Sequence, residues 1–201
     1  DRAGVGLDWQ LAQKAIRRLA FVPSRGQVAI TYVWQPALLQ SVRSLLFTPA
    51  DIRFAEGAQR RLAALLDRHP ARAPVPLSEV LTPLLAGADG TPQQARAALL
   101  VLAAYVAETS LGTLLPQAGQ WPCPRRLALL LGGRYDSAQH FVVSAALAAW
   151  FGEAAANAIA DYKEIEDSQY GSGFSFADLA VGRAGSRFGR LLASGSPQFR
   201  E

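Results

Sequence analysis

The chain has 201 residues, half of them hydrophobic, and a formal charge of +4. That length and composition suit one domain with a sizeable core and exclude a largely disordered chain. Of the 20 basic residues, 18 are Arg. They are scattered, paired only at Arg17-Arg18, Arg60-Arg61 and Arg125-Arg126, so no run resembles a nucleic-acid arm and no nucleic-acid partner is expected.

Cys123 is the single cysteine and sits between two prolines. Alone it supports neither an internal disulfide nor a Cys-based zinc site. No window reaches the roughly 18 uninterrupted apolar residues of a spanning helix. The longest apolar windows, 97–107 and 141–152, read as buried core helices. The chain has no Met and starts at Asp1, as expected of a numbering that begins inside a longer precursor, whether a signal peptide or anchor was cut off or the sequence was simply trimmed.

Taken in order, residues 7–21 place Leu7, Leu11, Ala15, Ile16 and Leu19 at helical spacing, opposite Gln10, Gln13, Lys14, Arg17 and Arg18. This predicts an amphipathic helix. Pro23 to Gly26 ends it. Gln27 to Trp34 is the one β-like run, with no partner strand evident. Residues 37–47 read as a short helix. Thr48-Pro49-Ala50-Asp51 is a helix start, with a capping Thr, Pro at the first helical position and an acid in the first turn; the helix runs to about His69. Pro70, Pro74 and Pro76 form a stiff connector between candidate subdomains 1–69 and 77–193.

Ser78-Glu79 opens a short helix ending near Gly87. Thr91-Pro92 repeats the start signal, and the helix that follows, 92–108, is apolar almost all round, which marks it as central. Short helices are expected at 109–115 and 125–131, separated by a loop from Pro116 to Pro124. Three more follow: Asp136 to about Phe151, Glu153 to about Ser168, and Ser175 to about Ala193. No internal repeat is present. The expected fold class is therefore all-α, a single-domain bundle of about eight to ten helices with at most one short β-like segment near 27–34.

Residues 136–189 hold seven of the sixteen acidic residues, one of two histidines and one of two lysines. Asp136 and His140 are four apart and share a face. Asn157, Asp161, Glu164 and Ser168 form a polar stripe beside an apolar face of Ala155, Ala158, Ile159, Tyr162 and Ile165. An antiparallel hairpin of the first two helices would bring His140 toward Glu164 and Asp167. The start of the third helix, with Asp178, would return to the same end. Asp136, His140, Glu164, Asp167 and Asp178 are thus candidate ligands of a divalent metal. Without a metal, His140 and Glu164 are candidates for acid–base catalysis. Structural readings stand beside these: Asp136 with Gln139, and Ser175 with Asp178, have capping-box spacing.

Gly182, Gly185, Ser186 and Gly189 put small residues on one side of the third helix. Three glycines inside a helix, each about 1 kcal/mol less favourable than Ala, call for a close helix–helix approach or a ligand lying against bare backbone. Lys163, Gly185, Arg183 and Arg187 are the candidate ligand-binding residues, for a small anion.

The order Asp-x-x-x-His, Lys-Glu-x-x-Asp, Phe-Ser-x-x-Asp-Leu and a Gly-rich helix resembles the YfiM-like envelope lipoproteins and, more distantly, the VanZ-like family. The match rests on Asp136, His140, Lys163, Glu164, Asp167, Phe174, Ser175, Asp178, Leu179, Gly185 and Gly189, and covers roughly the last third of the chain. VanZ-like proteins are built of spanning helices, which this chain lacks. The resemblance implies a bacterial protein placed at the periplasm or cell envelope, with a peripheral envelope or protein partner, and it supplies no reaction.

Three functions fit these residues. The first is a non-catalytic binding or scaffold module, whose acids are caps and ion pairs bonded to backbone amides or Arg. The second is a metal-dependent or acid–base hydrolase using His140 and Glu164. The third is a small anionic ligand-binding protein using the Arg residues of the last helix. None of the standard catalytic signatures is present, neither Gly-x-Ser-x-Gly nor His-Glu-x-x-His, a phosphate loop or a dinucleotide fingerprint.

Overall fold

Both Thr-Pro signals open helices in the computed structural model, which describes residues 16–24, 27–34, 46–87, 91–170 and 175–195, without the side chains of 16–34 and 162–170. The chain divides into two units, Asp1–Thr48 and Pro49–Glu201. In the first, strands β1 (Ile16–Ser24) and β2 (Gln27–Trp34) form an antiparallel hairpin, with Ser24 opposite Gln27. In the second, six α-helices carry the fold among the described residues: α1 (Pro49–Leu66), α2 (Leu77–Ala86), α3 (Pro92–Val106), α4 (Tyr135–Phe151), α5 (Glu153–Tyr170) and α6 (Phe176–Ala193). Two two-residue strands, β3 (Val75–Pro76) and β4 (Leu129–Leu130), pair in parallel.

Helix α3 is central, as its apolar circumference predicts. The Thr91 side chain accepts from the Gln94 amide at 3.2 Å and so caps the first turn. Ala97, Ala98, Leu99 and Leu102 are fully buried, and the helix packs on α1, α4 and α6. Helix α1 buries Ala55, Ala58, Leu62 and Leu66 at helical spacing. Its Asp51 is also buried, only 1% exposed, and accepts from Arg96 of α3 at 2.7 Å. The Arg96 guanidinium lies over the Trp150 ring, 4.5 Å from its centroid, while the indole donates to the Arg96 carbonyl at 3.0 Å. One ion pair and one indole thereby link α1, α3 and α4.

Residues 125–131 are extended, not helical as expected. Pro122 and Pro124 disfavour helix entry, and the backbone finds better partners elsewhere. The buried Tyr105 hydroxyl receives the Leu127 amide at 2.7 Å and lies 2.9 and 2.8 Å from the Arg125 and Leu127 carbonyls. The Val75 amide donates to the Ala128 carbonyl at 2.9 Å. Arg125 donates to the Leu66 carbonyl at 2.8 Å and to that of His69, so it caps the carboxyl end of α1. Gln59 donates to the Pro122 carbonyl at 3.0 Å. The segment is a strap laid across α1 and α3.

Three other expectations change. Ile16 to Ser24 is a strand, and it is the partner that Gln27–Trp34 was expected to lack. Its helical-looking spacing came from the leucines before it, and the two-residue connection Arg25-Gly26 is a hairpin-length link. The helix expected at 109–115 reduces to a single 3₁₀ turn, Leu111–Thr113. The helix count is therefore six among the described residues, below eight to ten. Residues 7–15 and most of 37–47 lie outside the described residues. The Pro-rich connector lies within the second unit, where Val75–Pro76 supplies β3.

Candidate functional site

The amino end of α4 and the amino end of α6 meet, as the hairpin argument predicts, and they meet around a cation. Arg134, just before α4, donates to Asp136 at 2.5 and 3.1 Å and to Asp178 of α6 at 3.4 Å. Asp136 also accepts from the Ser137 amide at 2.7 Å. The Arg134 guanidinium, with help from that amide and from His140, holds the Asp136 carboxyl below the usual carboxylate range. Asp136 in turn raises the pKa of Arg134. The Ser175 hydroxyl accepts from the Asp178 amide at 3.2 Å, closing the predicted cap of α6.

His140 is half-buried and lines an open groove of about 500 Å³ with Gln139, Val143, Leu147, Ile159 and Ala160. Lys163, Glu164 and Asp167 lie on α5, and their side chains fall outside the described residues. Among the described residues no group of three or more His, Cys, Asp or Glu is placed to hold a metal ion. The expected apolar face of α5 is corrected in part. Ala158 and Ile159 are exposed, and Ala156 is the residue fully buried. The face that turns inward is fixed by α4 and α6, which meet α5 through alanines and glycines.

Two Arg residues of α6 are tied to α5. Arg183 donates to both oxygens of Asp161, at 2.8 and 2.9 Å, and Arg190 donates to Glu153 at 2.6 Å. Arg187 is exposed and forms no ion pair with the described residues. Of the expected polar stripe of α5, Asp161 is thus met by an Arg of α6.

The other side of α6 carries the small-residue seam. An ideal Cβ on Gly185 would strike the Phe141 carbonyl, with the Phe141 C and Cα only 2.9 and 3.0 Å away. One on Gly189 would strike the Ala145 carbonyl, with that residue's C and Cα at 2.7 and 2.8 Å. The backbones of α4 and α6 are therefore in direct contact, and only glycine fits at these two positions. Ser186 is fully buried in the same seam. The Phe141 and Phe188 rings pack beside it, with centroids 5.4 Å apart. Close helix packing, not a ligand against bare backbone, uses Gly185.

A second concave region escapes a reading based on acidic clusters. It lies where α3 ends. The Thr109 and Glu108 amides donate back to the Ala104 and Tyr105 carbonyls at 3.0 and 3.2 Å, which forms a Schellman cap. The left-handed position of that cap, usually Gly, is Glu108 with φ 54°. Glu108 Oε1 accepts from the Tyr135 hydroxyl at 2.8 Å, and Val106 offers that hydroxyl a second acceptor at 3.0 Å. Burial, reinforced by the Glu108 carboxylate, pushes the Tyr135 phenol up to about 12. Arg126 lies on the other side, donating to the Tyr105 carbonyl at 2.8 Å and stacking 5.3 Å from the Tyr105 ring centroid. The sequence signal was present but faint: a helix end that carries Glu where Gly is favoured.

No helix among the described residues is long and apolar enough to cross a membrane. No protein-family model matches the chain, and comparison with curated proteins and with solved structures gives no match.

Proposed function

We propose that the chain is a non-catalytic binding or scaffold module whose platform is the three-helix unit α4–α6. One observation carries this reading. Every described carboxylate of the unit is engaged by an arginine: Asp136 and Asp178 by Arg134, Asp161 by Arg183, and Glu153 by Arg190. Carboxylates kept for catalysis or for a metal are held next to one another or next to His, and that arrangement costs stability. Here four acids are met by three arginines, Asp136 and Asp178 sharing Arg134, and α4 and α6 are joined backbone to backbone. The resemblance of residues 136–189 to the YfiM-like envelope lipoproteins supports a bacterial envelope setting.

The test is the sign of the stability change on removing a charge. Asp178→Asn and Arg134→Gln should each lower the melting temperature. The double variant should lose less than the sum of the two, because the pair is removed only once. A rise in melting temperature for Asp178→Asn would contradict the proposal, since removing a functional carboxylate commonly stabilises its site.

A further inference from the structure

The hollow at the end of α3 has the size, polarity and construction of a small-ligand site. It measures about 350 Å³, within the range of about 300–1,000 Å³ typical of such sites. Its walls include Tyr105, Leu111 and Trp121, and its rim carries Glu108, Arg126 and the exposed thiol of Cys123. Glu108 and Arg126 also line an adjoining hollow of about 290 Å³ on the Tyr135 side, so both charges stand between the two spaces.

Three features single this place out. Glu108 occupies a left-handed position that Gly would fill without strain. A side chain there is less favourable than Gly, and what it gains is a carboxylate that reaches the Tyr135 hydroxyl and stands at the mouth of a cavity. Second, Arg126 uses one nitrogen on the Tyr105 carbonyl, and the described residues offer no acceptor to the rest of its fork. The planar donor set of Arg suits a carboxylate. Third, the walls are rigid. The Tyr105 hydroxyl is fixed by the strap it holds, so the pocket exists before any ligand arrives and binding need not order a loop.

We infer that this hollow binds a free α-amino acid with an apolar side chain, its carboxylate on Arg126, its ammonium on Glu108 and its side chain against Leu111 and Trp121. The pairing of one anion and one cation at a single rim selects a zwitterion over a simple anion or cation. The apolar wall selects the side chain. The site is separate from the ion pairs of α4–α6, so it stands or falls independently of the proposed scaffold role.

The experiment is calorimetric titration of the whole chain with L-leucine and L-phenylalanine. N-acetyl-leucine and leucinamide serve as controls that each lack one charge. The expected result is saturable one-to-one binding of a free amino acid, weakened about tenfold or more by Glu108→Gly and by Arg126→Gln, and weak or absent binding of both controls. Glu108→Gly is the decisive variant, because Gly is favoured at that position and the Tyr135 hydroxyl keeps the Val106 carbonyl as an acceptor, so its melting temperature should hold or rise while binding is lost. Bound amino acid should also slow alkylation of Cys123 by iodoacetamide. The inference is overturned by no saturable binding of either amino acid at millimolar concentration, by equal affinity in wild type and Glu108→Gly, or by controls that bind as tightly as the free amino acids.

Discussion

Asp51 is almost completely buried and accepts from Arg96, 2.7 Å away across the α1–α3 contact. The acid was readable only as a first-turn residue of α1. Its burial adds a second role, because Gln93 also donates to it at 3.2 Å and the Arg96 guanidinium caps the Trp150 ring. Removing one partner of a buried pair leaves an uncompensated charge. Arg96→Met, which keeps the apolar stem, should therefore cost about 3 kcal/mol. Asp51→Asn should cost less, because the amide can still accept a hydrogen bond. Urea unfolding of both single variants and the double variant checks this, and additive effects would contradict it.

Gly189 and Gly185 make the α4–α6 contact possible, so a methyl group at either should be damaging. Ala is favoured over Gly inside a helix by about 1 kcal/mol, and an exposed helical glycine would gain that much on substitution. Gly189→Ala should instead destabilise by about 1–3 kcal/mol or more, because the added carbon meets the Ala145 backbone, which cannot move aside. Gly57 of α1 provides the contrast. A Cβ there meets only the end of the Arg61 side chain, at 3.4 Å, so Gly57→Ala should be neutral or stabilising. Melting curves that rank the two in the opposite order would contradict the close-packing account.

The Tyr105 hydroxyl holds the strap 125–127 through one accepted amide and two carbonyls. Tyr105→Phe leaves the buried Leu127 amide without that partner. The expected loss is about 1–3 kcal/mol, accompanied by faster hydrogen exchange at Leu127. Unchanged exchange there would show that the strap is held by other contacts.

Tyr135 and Asp136 give the stability pH dependences of opposite sign, and Tyr105, whose phenol burial also pushes up, shares the alkaline one. Tyr135 titrates at about 12 in the fold against about 10 unfolded. Between those values the unfolded chain has lost a proton that the folded chain keeps. Stability is then full below about pH 10 and falls as the pH rises toward 12. Asp136 has the opposite sign. Its folded pKa is depressed, chiefly by Arg134, so its contribution is present above the ordinary carboxylate range and disappears as the pH falls through the folded value. Tyr135→Phe should flatten the alkaline limb and Arg134→Gln the acid limb. Denaturation midpoints across the pH range read both; part of the alkaline limb should remain through Tyr105, and a limb undiminished in Tyr135→Phe would contradict the assignment to Tyr135.

The parts of the fold that could be read ahead of the structure were those fixed by local chemistry. Thr91-Pro92 announced α3 because cap and proline act within one turn. The glycine spacing of α6 announced a close neighbour because a helix has few other uses for three interior glycines. The end-to-end return that brings Asp178 near Asp136 followed from loop length alone. What could not be read depended on partners distant in sequence. Arg125 to Leu131 looks like an apolar helix, and partners distant in sequence, Tyr105 and Val75 among them, hold it extended. Ile16 to Ser24 continues a helical leucine pattern, and only pairing with Gln27–Trp34 makes it a strand. The acids of 136–178 looked like a cluster because spacing along each helix shows which residues share a face. It does not show that Arg183 and Arg190 arrive from another helix to meet Asp161 and Glu153, or that Arg134 also reaches Asp178.

The central claim is that these acids serve the platform and not a metal or a reaction. The most direct measurement is a calorimetric scan of divalent metals against the wild type, His140→Ala and Glu164→Gln, read together with their melting temperatures. The account predicts no tight binding of any divalent ion by the three proteins. Tight binding of one ion by the wild type, lost in both variants while their melting temperatures hold, would contradict it and return His140 and Glu164 to the centre of a metal site.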